Sequence, residues 1–491
     1  MKQIYRCCIK TLSPLHIGCD EVYEPMGFVV DETKRDLISF DPITFIGRLN
    51  HGEKEKFSAI CSKGTVESIL EIYKFLKGKP ADGKAVQLCP GFVEHYNKTL
   101  AISDKDKQRV QQELNRFKVE RTSFLPIDQR PYIPGSAIKG ALRTAYLNTM
   151  AKMKKVPTPR GKSAAKDLEK TLLDGGAFET DPFRLVKISD FRPIGEIRTK
   201  IVYAVNEKKK PSKFEARGPY QILEVVQPGA LFEGEIAVDT PQTKECIKTP
   251  VSIQKLLDSC TQFFRKEKKR EDDALNQIQI SGVQVSENED AVLIRLGRHS
   301  GAESMTIEGH RNIKIMTGRG QRDRYENHAT TFWLASDEQK PTVKENLHPF
   351  GWAEMGKVNA FLAKEFKEKK KGWEDRIKQS LKFIPEETIF RAAIKKEIKK
   401  GATLTKEKEP VVKVTVSPIE MMIRELDLVK ANDMGRIGTI IQKIDTLETD
   451  EDKGKVAIAI RDKIGAKAFK KHKKRDYLGE LIKKVITEKD K

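Results

Sequence analysis

The chain has no run of about 18 consecutive apolar residues, so no membrane-spanning helix is expected. Residues 1–6 lead straight into a strand-like stretch and lack the apolar region of a secretory signal. The cysteines number seven, an odd count, and none lies in a Cys-x-x-Cys pair. Neither a disulfide scaffold nor a zinc ribbon is therefore indicated. No Walker loop, Ser-His-Asp order or zinc-ligand spacing occurs. Aromatic residues make up only 7%, and the dense aromatic pattern with which a standard RRM stacks bases is missing. No repeat of solenoid period is visible. These absences lead us to expect a cytoplasmic protein with reduced thiols, no cofactor and no bound metal.

What the chain has in excess is positive charge. Its 491 residues hold 92 Lys and Arg against 71 Asp and Glu, a net charge of +21. Such an excess favours a polyanionic partner through counterion release. A soluble protein with solvated lysines would have the same composition. The length suggests about two to four domains.

The most informative stretch is Tyr132-Ile-Pro-Gly-Ser-Ala-Ile-Lys-Gly-Ala-Leu-Arg143. It reads as a short strand, a Pro-Gly turn and a helix start. Ser136 is placed to cap the helix by accepting a backbone N–H. The first-turn N–H groups and the helix dipole would then suit a phosphate. Lys139 and Arg143 are four residues apart and share one face, while Ile138, Leu142, Ala145 and Tyr146 form the other. An ordinary strand-to-helix turn with a solvated basic face would look the same locally.

That stretch resembles the signature of the RAMP superfamily, the RNA-binding subunits of CRISPR effector complexes. Leu12-Ser-Pro-Leu-His-Ile-Gly18 is similar to the superfamily's opening strand and turn. Asp20-Glu-Val-Tyr-Glu-Pro25 and Phe28-Val-Val-Asp31 resemble the family of fifth subunits of type III-A Csm complexes. Arg295-Leu-Gly-Arg-His-Ser-Gly301 resembles that family's glycine-rich loop, and Thr331-Phe-Trp-Leu334 and Pro349-Phe-Gly-Trp352 its closing strands. The matches follow the family's order from about residue 4 to 352. The resemblance implies an α+β fold: an RRM-like, ferredoxin-like RAMP core over 1–356. A helical insertion would occupy 51–120 and a Lys-rich helical extension 357–491. The implied partners are guide RNA, target RNA, the backbone subunit and other Csm subunits, with host nucleases recruited for guide maturation.

Several elements are expected from pattern. Residues 3–12, 26–31 and 37–40 read as strands. Asp41 is a helix cap with Pro42 at the first helical position. Residues 152–182, rich in Lys, Pro and Gly, read as a flexible loop, and 183–190 as an alternating strand. Residues 191–220 carry Arg192, Arg198, Lys200 and five more basic side chains before the strand-turn-strand of 222–236. In RAMP proteins the matching position is the thumb, which inserts between bases. Residues 251–275 read as a helix and 292–296 as a strand into the glycine loop. Thr317-Gly-Arg-Gly320 is a second small-residue cluster, followed by Arg322 and Arg324. Beyond 357, helical spacing covers 357–372, 374–384, 386–400, 418–444 and 455–487. Lys470-Lys-His-Lys-Lys-Arg475 is a possible phosphate patch.

The expected RNA-binding residues are His16, Gly18, Ser136, Lys139, Arg143, Arg192, Arg198, Lys200, Arg295, Gly297, Arg298, Ser300 and Gly301. Glycine and serine allow close backbone approach to phosphate or ribose, and recognition would rest on phosphates and shape rather than base readout. No residue is expected to be catalytic. His16 is the one candidate acid–base group, for a RAMP endoribonuclease processing precursor guide RNA, but apolar neighbours suit a packed histidine better. Asp20, Glu21, Glu24 and Asp31 could gather a divalent metal and are read instead as structural. The expectation is thus a non-catalytic subunit capping the guide-RNA 3′ end.

Overall fold

The first strand, Lys2–Thr11, is the centre of the molecule's first sheet. Tyr5, Cys7 and Ile9 point to one face, where they join the main core, and Cys8 is buried on the other with Ile194 and Leu231. Burial on both faces is the mark of an interior strand. It pairs antiparallel with Leu231–Asp239 on one side and with Trp352–Lys357 on the other. Val186–Ile188 then flanks Leu231–Asp239, and Ala291–Arg295 flanks Trp352–Lys357. The helices Gly135–Lys154 and Ile253–Gln277 contribute Ile138, Leu142, Tyr146, Phe263 and Phe264 to the same core as Tyr5 and Ile9. Strand, helix, strand, strand, helix, strand in this order is the ferredoxin-like arrangement expected. The fold is α+β.

This computed structural model describes residues 2–357 except 104, 162, 176–177, 214–215, 217, 242–246, 287–290 and 317–321. Beyond 357 it describes 371–372, 375, 419, 422–423, 426, 434–447, 449–465, 469 and 474–489. The chain divides into two compact units, Met1–Pro385 and Glu386–Lys491.

The second sheet of the first unit has nine strands, and all come from three excursions out of the first. The excursion 12–134 supplies Gly18–Val22, Phe28–Asp31, Asp36–Ser39, Lys84–Leu88 and Val119–Thr122. The excursion 189–230 supplies Thr199–Lys208 and Gln221–Val226. The excursion 296–351 supplies Thr331–Ser336 and His348–Pro349. Thr199–Lys208 is the hub. Gln221–Val226 lies along one edge, and Lys84–Leu88 and Thr331–Ser336 share the other.

Four expectations need correction. The segment 51–120 is helical at His51–Ser62, Val66–Leu76, Pro90–Leu100 and Lys107–Arg116, but it also holds the strand Lys84–Leu88 and the start of Val119–Thr122. Val86, Leu88 and Val119 are buried in the second core, and that packing overrides the helix-prone composition. The segment 191–220 is not one projecting thumb. Ile201 to Val205 are all buried, so Thr199–Lys208 is an interior strand, and only 209–220 links it to the next. The segment 152–182 contains the helix Ala164–Leu173, which buries Leu168, Leu172 and Leu173. Within 183–190 only Val186–Ile188 is strand, after a 3-10 turn at Pro182–Leu185.

Asp41 does cap its helix, accepting the Thr44 N–H at 2.8 Å. In the second unit, Met434–Lys443, Asp450–Ile464 and Arg475–Lys489 are helices, and their Ile437, Ile440, Val456, Ile460 and Leu478 share one core. Of the helices expected at 357–372, 374–384 and 386–400 the described residues include only 357, 371–372 and 375, and of the one expected at 418–444 they include 419, 422–423, 426 and 434–444; residues 470–473 lie outside them. No helix among the described residues is long and apolar enough to cross a membrane.

Candidate nucleic-acid interface

Three chain reversals meet where the two sheets adjoin: 12–18, 296–301 and 349–352. Gly351 N–H donates to Pro14 O at 2.9 Å, Leu296 N–H to Gly351 O at 2.8 Å and Arg298 N–H to His16 O at 2.8 Å. The contacts leave no room for side chains at two positions. Gly297 has φ +77°, and a Cβ there would stand 2.3 Å from His16 O; Gly351 has φ +85°, and its Cβ would stand 2.2 Å from Leu296 O. Glycine is what lets the backbones approach. Ser300 Oγ, itself buried, donates within the loop to Leu296 O or Gly297 O, at 2.8 and 2.6 Å. Gly301, at φ +79°, closes the loop.

Like Ser300, two further expected RNA contacts are interior. His16 is 0% exposed. Its Nδ1 donates to Glu224 O at 2.7 Å, and burial lowers its pKa despite that bond. The imidazole is thus enclosed by protein rather than presented at the surface. Arg295 is also buried. Its guanidinium bonds Phe350 O at 3.0 Å, pairs with Glu271 at 2.6 Å and lies over the Trp352 ring at 4.7 Å. The Trp352 Nε1–H donates to the same Glu271. The reason is the strand: Arg295 alternates to the face that the long helix Ile253–Gln277 covers, and Glu271 on that helix neutralises it.

The Pro-Gly-Ser helix also departs from expectation. Ser136 is not its cap. The helix starts at Gly135, with Pro134 as the cap residue, and Ser136 is exposed one position inside. The Asp190 carboxylate accepts the Gly135 N–H at 2.9 Å, so an acidic side chain from a neighbouring segment holds the helix end. Lys139 donates to Val186 O at 2.8 Å, and burial lowers its pKa. Arg143 is clamped by Asp181 at 2.9 Å and Glu169 at 2.7 Å. The face that Lys139 and Arg143 share therefore meets protein acceptors rather than open solvent.

One hydrogen-bonded path runs from the accessible donor Arg298 to Arg192. Arg298, partly exposed, pairs with Glu120 on Val119–Thr122. On that strand Thr122 Oγ1 accepts the Ile17 N–H at 3.1 Å, and Gly18 is its register partner. A tight hairpin follows, in which Tyr132 N–H donates to Ser123 O at 3.2 Å, and Ile133 pairs with Phe191 beside Arg192. Arg192 and Arg198 are exposed, with no side-chain partner among the described residues. Lys200 pairs with Asp337 at 2.7 Å. His299, between Arg298 and Ser300, stacks on Trp333 at 4.5 Å and bonds Gln221 at 2.9 Å. Burial first, then the Arg298 and His16 charges, lower its pKa to about 3.

The acidic residues near the N-terminus do not converge. Glu21 faces Arg121 at 3.8 Å, and Asp31 closes its own turn by accepting from Thr33 and Lys34. Among the described residues no three His, Cys, Asp or Glu side chains form a metal-holding group. Sequence reasoning missed Asp190, Glu120 and Glu271. Glu120 lies in a strand, Glu271 on the buried stripe of a helix and Asp190 just past a strand end, and the partner of each is distant in sequence.

The family model of the RAMP superfamily matches residues 8–391. No curated protein matches the chain. Among solved structures, one similar chain comes from the cryo-EM structure of a Csm–crRNA–target RNA ternary complex of a type III-A CRISPR-Cas system. It is 19% identical, with 72% of this chain and 100% of that chain covered and a TM-score of 0.45. Another is the crystal structure of T. onnurineus Csm5, 18% identical over 70% of this chain and 99% of that chain, with a TM-score of 0.37.

Proposed function

The chain belongs to the RAMP superfamily, and from that premise we propose that it is a non-catalytic RNA-binding subunit of a type III-A CRISPR interference complex. It caps the 3′ end of the guide RNA, contacts the backbone subunit and assists guide maturation in the cytoplasm. The type III-A assignment rests on the motifs at 20–25 and 28–31. The observation that carries the RNA-binding reading is the path of exposed donors beside the rigid glycine loop. Ser136, Arg192, Arg198 and Arg298 touch the strand's phosphates, and Gly18 and Gly301 allow close backbone approach. His16, Arg295, Gly297 and Ser300 hold the loop in shape from within. The net charge of +21 supplies the long-range attraction.

Co-expression with a CRISPR array and a tagged backbone subunit tests this. The expected result is a co-purifying complex that contains guide RNA, together with an isolated chain that leaves precursor guide RNA intact with or without Mg²⁺. Cleavage by the isolated chain, or a complex that assembles on guide RNA equally well without it, refutes the reading.

A further inference from the structure

The interior strand Thr199–Lys208 ends in a basic run, Lys208, Lys209 and Lys210, before the chain turns at Pro211. That run forms one wall of a cleft of about 640 Å³. The floor is the end of the helix Ile253–Gln277, at Arg270, Ala274 and Gln277. The facing wall is Arg324–Glu326, one strand of a two-stranded ribbon with Ile313–Ile315, followed by 328–330. The lining holds five cations, Lys208, Lys209, Lys210, Arg270 and Arg324, against one carboxylate, Glu326.

One buried group explains how like charges are held together. Glu303, two residues after Gly301, is 0% exposed. It accepts from Lys209 at 2.6 Å and from Ala329 N–H at 2.9 Å, and faces Arg270 at 3.6 Å. Burial raises its pKa, yet Lys209 and Arg270 outweigh this and hold it at about 2. Glu303 therefore stays charged, and one carboxylate anchors two cations. Lys210 is exposed and has no side-chain partner among the described residues. Arg324 pairs with Glu326 at 3.6 Å in solvent. An exposed pair of that kind contributes little, so Arg324 is free to turn to a phosphate.

We propose that this cleft binds the phosphodiester backbone of single-stranded RNA, at a contact region separate from the glycine-loop path. The inference rests on the RNA-binding reading above and adds a location to it. The lining contains no Phe, Tyr or Trp on which a base could stack, and its cations stand on both walls and the floor, three of them consecutive at one strand end. Both features fit sequence-independent backbone contact rather than capture of a single nucleotide. Alternation along the ribbon puts Tyr325, opposite Lys314, on the face away from Arg324.

Fluorescence anisotropy of a labelled polyuridine strand on the full chain, at several salt concentrations, tests the proposal. Lys210→Ala with Arg324→Ala should weaken binding about tenfold and lower the salt slope by about 1.4, or about 0.7 for each lost contact. Both side chains are on the surface, and an unchanged melting temperature confirms that the variant is folded. Tyr325→Ala should bind as the parent does. Parent-like affinity and slope in the double variant would overturn the cleft alone, leaving the RNA-binding reading standing. A loss confined to Tyr325→Ala would place the strand on the ribbon's outer face and also overturn it. ATP that displaces RNA from the parent but not from the double variant would assign the cleft to a free nucleotide. A parent chain without RNA affinity overturns the function and the cleft together.

Discussion

Gly297 and Gly140 show how much a residue's surroundings decide. A Cβ at Gly297 meets His16 O at 2.3 Å in a backbone at φ +77°, whereas one at Gly140 meets nothing within 4 Å. Gly297→Ala should cost about 1–3 kcal/mol from backbone strain alone. Gly140→Ala, in the exposed face of a helix, should add about 0.5–1 kcal/mol. Urea titration of the two variants checks the contrast. His299 gives a pH dependence of definite sign. Its pKa falls from the ordinary 6.5 to about 3 on folding. Between those values the unfolded chain binds a proton that the folded chain does not, so stability falls on acidification. The contribution is about 1.4 kcal/mol per pH unit for one such proton. His299→Asn, whose side chain tolerates the positive φ of this position, should flatten the stability profile between pH 6.5 and 3. An unchanged slope would show that His299 does not set it.

At the scale of elements, the Pro-Gly-Ser helix is secured by Asp190, Asp181 and Glu169 rather than left open at its basic end. Arg143→Ala strands two carboxylates and should lower the melting temperature, with little change in the salt slope of RNA binding. Arg192→Ala with Arg198→Ala removes two exposed cations. It should leave the melting temperature in place and reduce the slope by about 1.4. If the effects were exchanged between the two variants, the helix end and not the crossover between sheets would be the phosphate contact. The strand Thr199–Lys208 sets a further limit. Deleting all of 191–220 removes the hub of the second sheet, so the loop's role is tested by shortening 211–219 alone.

At the scale of the whole molecule, the second sheet has no continuous sequence of its own. Its strands are loops of the ferredoxin-like module, so the two sheets should unfold together. The second unit is different. Its core is built from its own helices, and the superfamily match stops at residue 391. A fragment of 386–491 should show helical circular dichroism and its own melting transition. We expect deletion of 386–491 to cost assembly into the complex more than RNA affinity. Lost RNA binding with assembly retained would make this basic unit the main RNA clamp.

Much of the fold was legible in the sequence because its signals are local. The apolar spacing of Ile138, Leu142 and Tyr146, the Asp41-Pro42 helix start and the glycines at 297 and 301 each follow from neighbouring residues. The motif order carried the superfamily, and the charge excess carried the class of partner. Strand identity at 84–88 and 199–208 was hidden, because helix-prone or lysine-rich flanks mask short buried runs whose only support is a distant strand. The site divided in the same way. That Arg298 stays partly exposed while Arg295 is buried depends on the face each strand end turns to the long helix, and hence on Glu271. Composition alone decided that the chain is basic, and the order of its motifs carried the α+β fold. Only tertiary structure decided which of its cations already have a carboxylate, because a counter-ion can stand anywhere in the sequence and needs only to be near in space.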